Sequence, residues 1–206
     1  MNRDTAQVWF DSNLTRYFTW LIPESDQIAA VGLIADGSEK AEEALNRFLE
    51  EKQLEPLESQ AAAVPMHRFE FFGYHVGSGN NIFFVGDSGA QVKVTTVGGV
   101  VSGLHGARAL SNAILNGRNY RKQLRELKRE LDLHLLVRGV LNRFNEKDYD
   151  QLIAILDGRL KYVLREWTRD ELTQSFLKLI LAEPRLITLG AKALLRSMLS
   201  NFHSVR

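Results

Sequence analysis

A chain of 206 residues is long enough for one ordinary domain, or for one domain with a helical appendage, and its 45% apolar and 25% charged content is that of a globular protein. The absence of cysteine excludes a disulfide frame, a thiolate metal site and a cysteine nucleophile, and no run of apolar residues is long enough to cross a membrane. The net charge of +1 is uneven: residues 1–117 hold 8 Lys/Arg against 14 Asp/Glu, whereas residues 118–147 hold 9 against 4.

The first elements read as sheet. "AQVWF" and "YFTWLIP" are short aromatic and β-branched runs, and "QIAAVGLIA" follows a turn punctuated by Pro23 and Glu24–Asp26. "SEKAEEALNRFLEEK" is a helix, with Ser38 as its N-cap, acids in its first turn, and Ala41, Leu45, Phe48 and Leu49 at helical spacing. "MHRFEFFGYHV" alternates as a strand and runs into a Gly77–Gly79 turn, after which "NIFFV" reads as a buried strand.

Beyond Val100 the pattern is helical. "GVVSGLHGARALSNAILNG" ends at a Gly117 C-cap, and "RNYRKQLRELKRELDLHLLVRGVLNRF" carries Leu124, Leu127, Leu131 and Leu135 on one face. "DYDQLIAILDG" is a shorter helix. Thr168 and Glu171 form a capping box for "TRDELTQSFLKLILA", and Pro184 separates that helix from the last one. The expected fold is α+β in three parts: a sheet portion with one helix over 1–79, a strand–turn–helix over 80–117, and a helical region over 118–206.

The chemistry concentrates in "FFVGDSG" and "TTVGGVVSG". A strand stops at Gly86–Asp87, where a carboxylate accepts hydrogen bonds from hydroxyls or amides. Two glycines, Gly98 and Gly99, then leave the first N–H groups of a helix uncovered, at an end that carries roughly half a positive charge. Such an end receives an anion or an electron-rich carbonyl; a tight turn with an internally satisfied Asp87 is the alternative. Gly99, Gly103, Ala107 and Ser111 recur every four residues, a narrow face for close packing on a sheet or a planar cofactor.

Elsewhere the side chains carry less. His67, His75, His105, His134 and His203 lack metal-ligand spacing, so no metal is expected. Ser88 lacks the G-x-S-x-G elbow of a hydrolase nucleophile. His105 either faces a ligand or caps and solvates its helix, and Lys93 either meets a phosphate or lies in solvent. The basic helix over 118–147 either touches phosphate or anionic lipid or is simply solvated; no nucleic-acid partner is expected. The C-terminal helices, with Lys178, Arg185, Lys192 and Arg196, read as a bundle's core face with a basic rim or as a surface resting on a membrane. The N-terminal "MNRDTAQVWF" lacks the apolar core of a secretory signal, so a cytoplasmic chain is expected, with peripheral membrane contact as the variant.

"VGDSGAQVKVTTVGGVVSGLHGARALSNAI" resembles the second flavin-binding motif of the geranylgeranyl reductase family of FAD-dependent oxidoreductases. "YFTWLIPESDQIAAVGL" resembles that family's Tyr-x-Trp-x-x-Pro segment in the substrate-binding sheet, and the tail is similar to its helical C-terminal region. The resemblance implies reduction of carbon–carbon double bonds of a prenyl chain in lipid biosynthesis. It places FAD against Gly86, Asp87, Ser88, Val97, Gly98, Gly99 and Val100, with Asp87 at the ribityl chain, the amides near Ser88 at the pyrophosphate and the Gly98–Gly99 turn at the isoalloxazine edge. Tyr17 and Trp20 are its candidate substrate residues; three apart in one strand, they point to opposite faces, one into an apolar cavity and the other into the core, or both into the core.

Two positions depart from the family pattern: Val94 stands for its Pro, and Val97 for the first of its three glycines. The strand–GxGxxG–helix that opens such flavoproteins also has no counterpart here. The resemblance is therefore to a C-terminal half, and the other half is expected either on a second polypeptide or on the rest of a chain of which this is a truncated product. The alternative function is a non-catalytic remnant or interaction module that binds no FAD alone.

Overall fold

The computed structural model describes residues 2–69, 73–76, 80–158, 160–166 and 172–203. The fold is α+β, and by compactness the chain divides into two units, residues 1–63 with 144–150, and residues 64–143 with 151–206.

The first unit is built on an antiparallel sheet in the order β1 (Gln7–Trp9), β2 (Thr19–Pro23), β3 (Ala29–Leu33). Its second hairpin closes at the expected acidic turn, where Glu24 and Ser25 N–H groups both donate to the Ile28 carbonyl. Trp20 pairs with Gly32 across β2 and β3, and a Cβ on Gly32 would stand 2.4 Å from the indole. Gly32 therefore gives the indole a flat bed. Helix α1 (Ser38–Glu51) turns Ala44 and Phe48 inward, with Ala41, Leu45 and Leu49 half-buried beside them, and Phe48 meets Trp9 edge-on at 5.0 Å. Its N-cap is Gly37 rather than Ser38, because the chain enters at φ +99°, a conformation that glycine adopts without a steric penalty.

Helix α5 (Glu146–Leu156) starts two residues before the run read as helical. Asn145 is the reason. Its side chain accepts from the Asp148 N–H while the Asp148 carboxylate accepts from the Asn145 N–H, both at 3.0 Å, a reciprocal cap with the carboxylate buried.

In the second unit β4 (Gly73–Val76) and β5 (Asn80–Phe83) form a two-stranded antiparallel sheet; the Gly77–Gly79 turn lies outside the described residues, as does the Thr168–Glu171 box. The expectation of a buried strand is corrected here, since Ile82 and Phe83 are exposed in a sheet with only one neighbouring strand. A 3-10 turn over Gly86–Gly89 leads by an irregular loop to α2 (Val100–Asn116), which ends at Gly117 in the left-handed conformation, as its C-cap position requires.

Then come α3 (Tyr120–Gln123), capped by the Asn119 side chain, α4 (Arg125–Leu141), α6 (Leu160–Glu166), α7 (Leu172–Ala182) and, after Pro184, α8 (Arg185–His203). The core beneath the site joins Ala109 of α2, Leu124, Leu127 and Leu131 of the α3–α4 run, and Phe69, with Tyr120 at its edge. Lys128 and Arg68 both bind the Asp132 carboxylate, and Lys128 also donates to the Phe69 carbonyl, which ties the segment before β4 to α4. The basic helix is thus partly neutralised by its own acids.

Candidate functional site

The site is a turn held from beneath. Gly86 opens it at φ +68°, a left-handed conformation that suits glycine, and Ala90 closes it at φ +52°. Between them Gly89 is buried so tightly that a Cβ would come within 2.9 Å of the Phe84 carbonyl oxygen. Ser88 turns its hydroxyl back to donate to the Val85 carbonyl at 2.8 Å.

Gln91 is the keystone. It is wholly buried, and its Oε1 accepts from the Gly86 N–H at 2.8 Å while its own N–H donates to the Gly86 carbonyl at 3.0 Å. Its carbonyl accepts from the Ser102 hydroxyl of α2, its Nε2 donates to the Tyr120 hydroxyl at 3.4 Å, and that hydroxyl donates to the Phe84 carbonyl at 3.2 Å. One buried amide thereby joins the strand end, the turn, α2 and α3. Burial pushes the Tyr120 phenol above its ordinary value, partly offset by the Gln91 hydrogen bond, so it remains a neutral donor.

The following loop is pinned to α4. Val92 and Val94 are buried, and the Lys93 N–H donates to the Gly98 carbonyl at 3.0 Å. Thr95 Oγ1 shares a hydrogen bond of 2.6 Å with His134 Nδ1, and Arg138 reaches the Thr95 carbonyl at 3.5 Å. His134 and Arg138 are both buried, and Glu130 stands 3.5 Å from the other imidazole nitrogen. Val97, at the tip, takes φ +53°. That is a steric outlier for a β-branched residue, and it falls at the position where the family pattern has glycine.

Helix α2 packs on the turn through small residues, of which Gly99 and Gly103 are the expected ones. Gly99, Ser102, Gly103, Gly106 and Ala109 form the close face, whereas Ala107 and Ser111 are exposed. A Cβ on Gly106 would stand 1.9 Å from Gln91 Oε1, one on Gly103 3.3 Å from the Gly86 Cα, and one on Gly99 2.5 Å from Asp87 Oδ1. The packing mixes intervals of three and four, as a helix on an irregular turn requires, where the sequence showed a strict four.

Gly86, Asp87, Ser88, Val97, Gly98, Gly99 and Val100 are thus drawn into one turn system. Asp87 is exposed, with its carboxylate over Gly99, and no side chain caps α2, whose first residue, Val100, is 78% exposed. An open helix N-terminus beside an exposed carboxylate can donate amides to an anion and accept from hydroxyls of the same ligand. His105 points to solvent side by side with Arg108 along a polar cavity of about 150 Å³ that Asn112, Gln123 and Glu126 complete.

Tyr17 and Trp20 belong to the first unit. Tyr17 precedes β2 and is buried, so strand alternation does not govern it; its N–H donates to Thr15 Oγ1 at 3.2 Å, and Thr15 in turn binds the Ile34 carbonyl. Trp20 is half-buried and continues into an aromatic row, with Phe18 at 5.8 Å, then Phe10, which stacks on Tyr149 at 4.5 Å. Among the described residues no three His, Asp or Glu side chains gather as metal ligands, and no helix is long and apolar enough to cross a membrane.

Sequence reasoning missed Gln91, Ser102, Gly106, Tyr120, His134 and Arg138, which position the turn. The available signal was a lone glutamine between Ala90 and Val92 in a charge-poor run.

An α+β unit with this Gly-rich turn is similar, at a distance, to geranylgeranyl-reductase-like proteins. The particular relative is digeranylgeranylglycerophospholipid reductase 2 of Methanothermobacter thermautotrophicus, 26% identical over 173 residues, a match covering 76% of this chain and 44% of the reductase. The chain therefore spans less than half the length of that relative. No protein-family model matches the chain, and no solved structure is significantly similar to it.

Proposed function

We propose that this chain is the C-terminal half of an FAD-dependent oxidoreductase of the geranylgeranyl reductase kind, acting on carbon–carbon double bonds of a prenyl chain. The observation that carries the reading is the juxtaposition of the exposed Asp87 carboxylate with the uncapped N-terminus of α2 at Gly99. The donor set suits a flavin nucleotide: Asp87 accepts from a polyol hydroxyl, and the open amides of the turn and of α2 meet anionic oxygens. Reduced flavin, if bound there, would supply the hydride, and saturating the double bond would also take up a proton from solvent. The protein's own part is to hold the turn rigid through Gln91 and α4 and to offer an apolar lane for the chain. Trp20, half-buried at the start of an aromatic row, is better disposed to meet an apolar chain than the buried Tyr17. A strand–GxGxxG–helix half, which these 206 residues do not contain, would complete the cofactor site, whether on the same polypeptide or on a second one.

A second function, a scaffold that binds no flavin, is favoured by one observation. Val97 places a β-branched side chain where the family pattern keeps bare backbone.

A visible absorption spectrum of the purified chain, with and without added FAD, tests whether this half holds flavin without the other. A bound-flavin band that disappears in Asp87→Ala is the expected result. Uptake unaffected by Asp87→Ala refutes the assigned role of that carboxylate, and no uptake in large FAD excess refutes flavin binding by this half alone.

A further inference from the structure

Helix α8 is apolar on two sides, and only one of them is covered. Leu189 and Ala193 are 5% and 0% exposed and form its packed side. Ile187, Leu194, Leu195 and Met198, which share another side of the helix, are 55%, 37%, 61% and 61% exposed. A helix needs one such stripe to join a bundle, and the second leaves long aliphatic side chains in water.

The charge beside this stripe has one sign. Residues 172–203 hold four cations, Lys178, Arg185, Lys192 and Arg196, against the single carboxylate of Glu183, which is paired with Arg185. Along α8 itself there is no acid at all. Arg196 is held inward by the Arg143 carbonyl at 2.7 Å, and Lys192 sits exposed one helical turn beyond Thr188, at the border of the apolar stripe. A cationic margin along an exposed aliphatic face matches the headgroup–acyl boundary of an anionic bilayer, where the stripe enters the hydrocarbon edge and the cations meet lipid phosphates.

We propose that α8 docks this protein on an anionic membrane surface, with Ile187, Leu194, Leu195 and Met198 inserted and Lys192 at the headgroups. The inference goes beyond the flavin reading and stands on α8 alone.

The experiment is co-sedimentation of the full chain with vesicles of phosphatidylcholine containing phosphatidylglycerol, and with phosphatidylcholine alone, without FAD or prenyl lipid. Binding to the anionic vesicles is expected, weakened by salt and by Lys192→Glu. Leu195→Glu with Met198→Glu, both at exposed positions, should lower partitioning at least about tenfold while leaving far-UV circular dichroism unchanged. Absence of binding to anionic vesicles overturns the proposal, as does binding that the double substitution leaves intact. Self-association of the chain that the double substitution dissolves, without vesicle binding, assigns the stripe to a second copy and also overturns it. Because the vesicles lack flavin and substrate, either result leaves the oxidoreductase reading to its own test.

Discussion

Substituting Gly106 by alanine tests the keystone directly. The new Cβ would stand 1.9 Å from Gln91 Oε1 and 2.6 Å from its Cδ, whereas real Cβ contacts essentially never fall below 3.0 Å. Gln91 must retreat by more than 1 Å, yet it is wholly buried and its Oε1 holds the Gly86 N–H. If the amide stays, overpacking costs about 1–3 kcal/mol. If it leaves, the Gly86 N–H and the displaced amide lose partners, at roughly 1–3 kcal/mol for each buried group left unsatisfied. Better helix propensity returns about 1 kcal/mol. The expected net loss is therefore up to about 2 kcal/mol if the amide stays and at least about 1 kcal/mol if it leaves, measured as a lower urea midpoint at unchanged slope. In a Gln91→Ala background the clash has no partner, so the same Gly106→Ala change should be neutral or stabilise by up to about 1 kcal/mol. A Gly106→Ala that stabilises the wild-type chain as much as it does the Gln91→Ala background would mean that Gln91 does not pack on α2, and the site's architecture as described would fall.

Three further outcomes are expected. At Val97 the usual order of alanine over glycine should invert: both substitutions lose the same half-buried methyls, but only glycine relieves the φ of +53°, leaving Val97→Gly more stable than Val97→Ala by about 0.5–1 kcal/mol in denaturant unfolding. Burial acts to raise the Asp132 carboxyl, but the hydrogen bonds and charges of Arg68 and Lys128 outweigh it and hold the group below its ordinary 3.8. A depressed folded-state value means stability present above 3.8 and lost as pH falls through the folded value, so an acid titration of unfolding free energy should be flatter in Asp132→Asn. Asp148→Ala removes half of the reciprocal cap on α5 and leaves the Asn145 N–H without that carboxylate, so a loss of about 1–2 kcal/mol in thermal or urea unfolding is expected, and no loss would sink the capping assignment.

The elements that sequence displayed well were those whose signals are local. Alternation and turn residues located β1, β2 and β3, and the Leu124–Leu127–Leu131 spacing located the core face of α4. Gly117 announced its own left-handed cap. What was not legible depends on partners distant in the chain. The exposure of Ile82 and Phe83 follows from how many strands flank β5, a property of topology rather than of the apolar run. The start of α5 turned on a reciprocal bond between Asn145 and Asp148, visible as N-x-x-D only to a search that admits Asp at the third position. In sequence His134 is only a histidine without metal-ligand spacing, and only the fold brings it to Thr95, 39 residues earlier.

The same distinction separates the residues that shape the turn from those left open to a ligand. Gln91, Ser102, His134 and Arg138 are buried, and their polar atoms are turned toward the backbone and side chains of the loop. Their chemistry goes into holding geometry. Asp87 and Val100 are exposed, and the amides beginning α2 carry no side-chain cap. A turn that needed only to connect a strand to a helix would be served by an N-cap serine or aspartate at position 99, which would satisfy those amides. Glycine there leaves them open, and a Cβ at that position would stand 2.5 Å from Asp87 Oδ1, so a side chain could enter only by displacing that carboxylate. The same close approach sets a carboxylate beside an uncapped helix end. Val97 is where that logic is strained, since it keeps the backbone path of a glycine turn while carrying a side chain. Whether the turn still admits a flat ligand edge beside Val97 is thus a question of one isopropyl group, and the Val97→Gly variant, compared with the wild-type chain in the FAD titration, answers it: tighter uptake on removing the side chain marks a flavin site partly closed, and unchanged uptake places the ligand away from the tip.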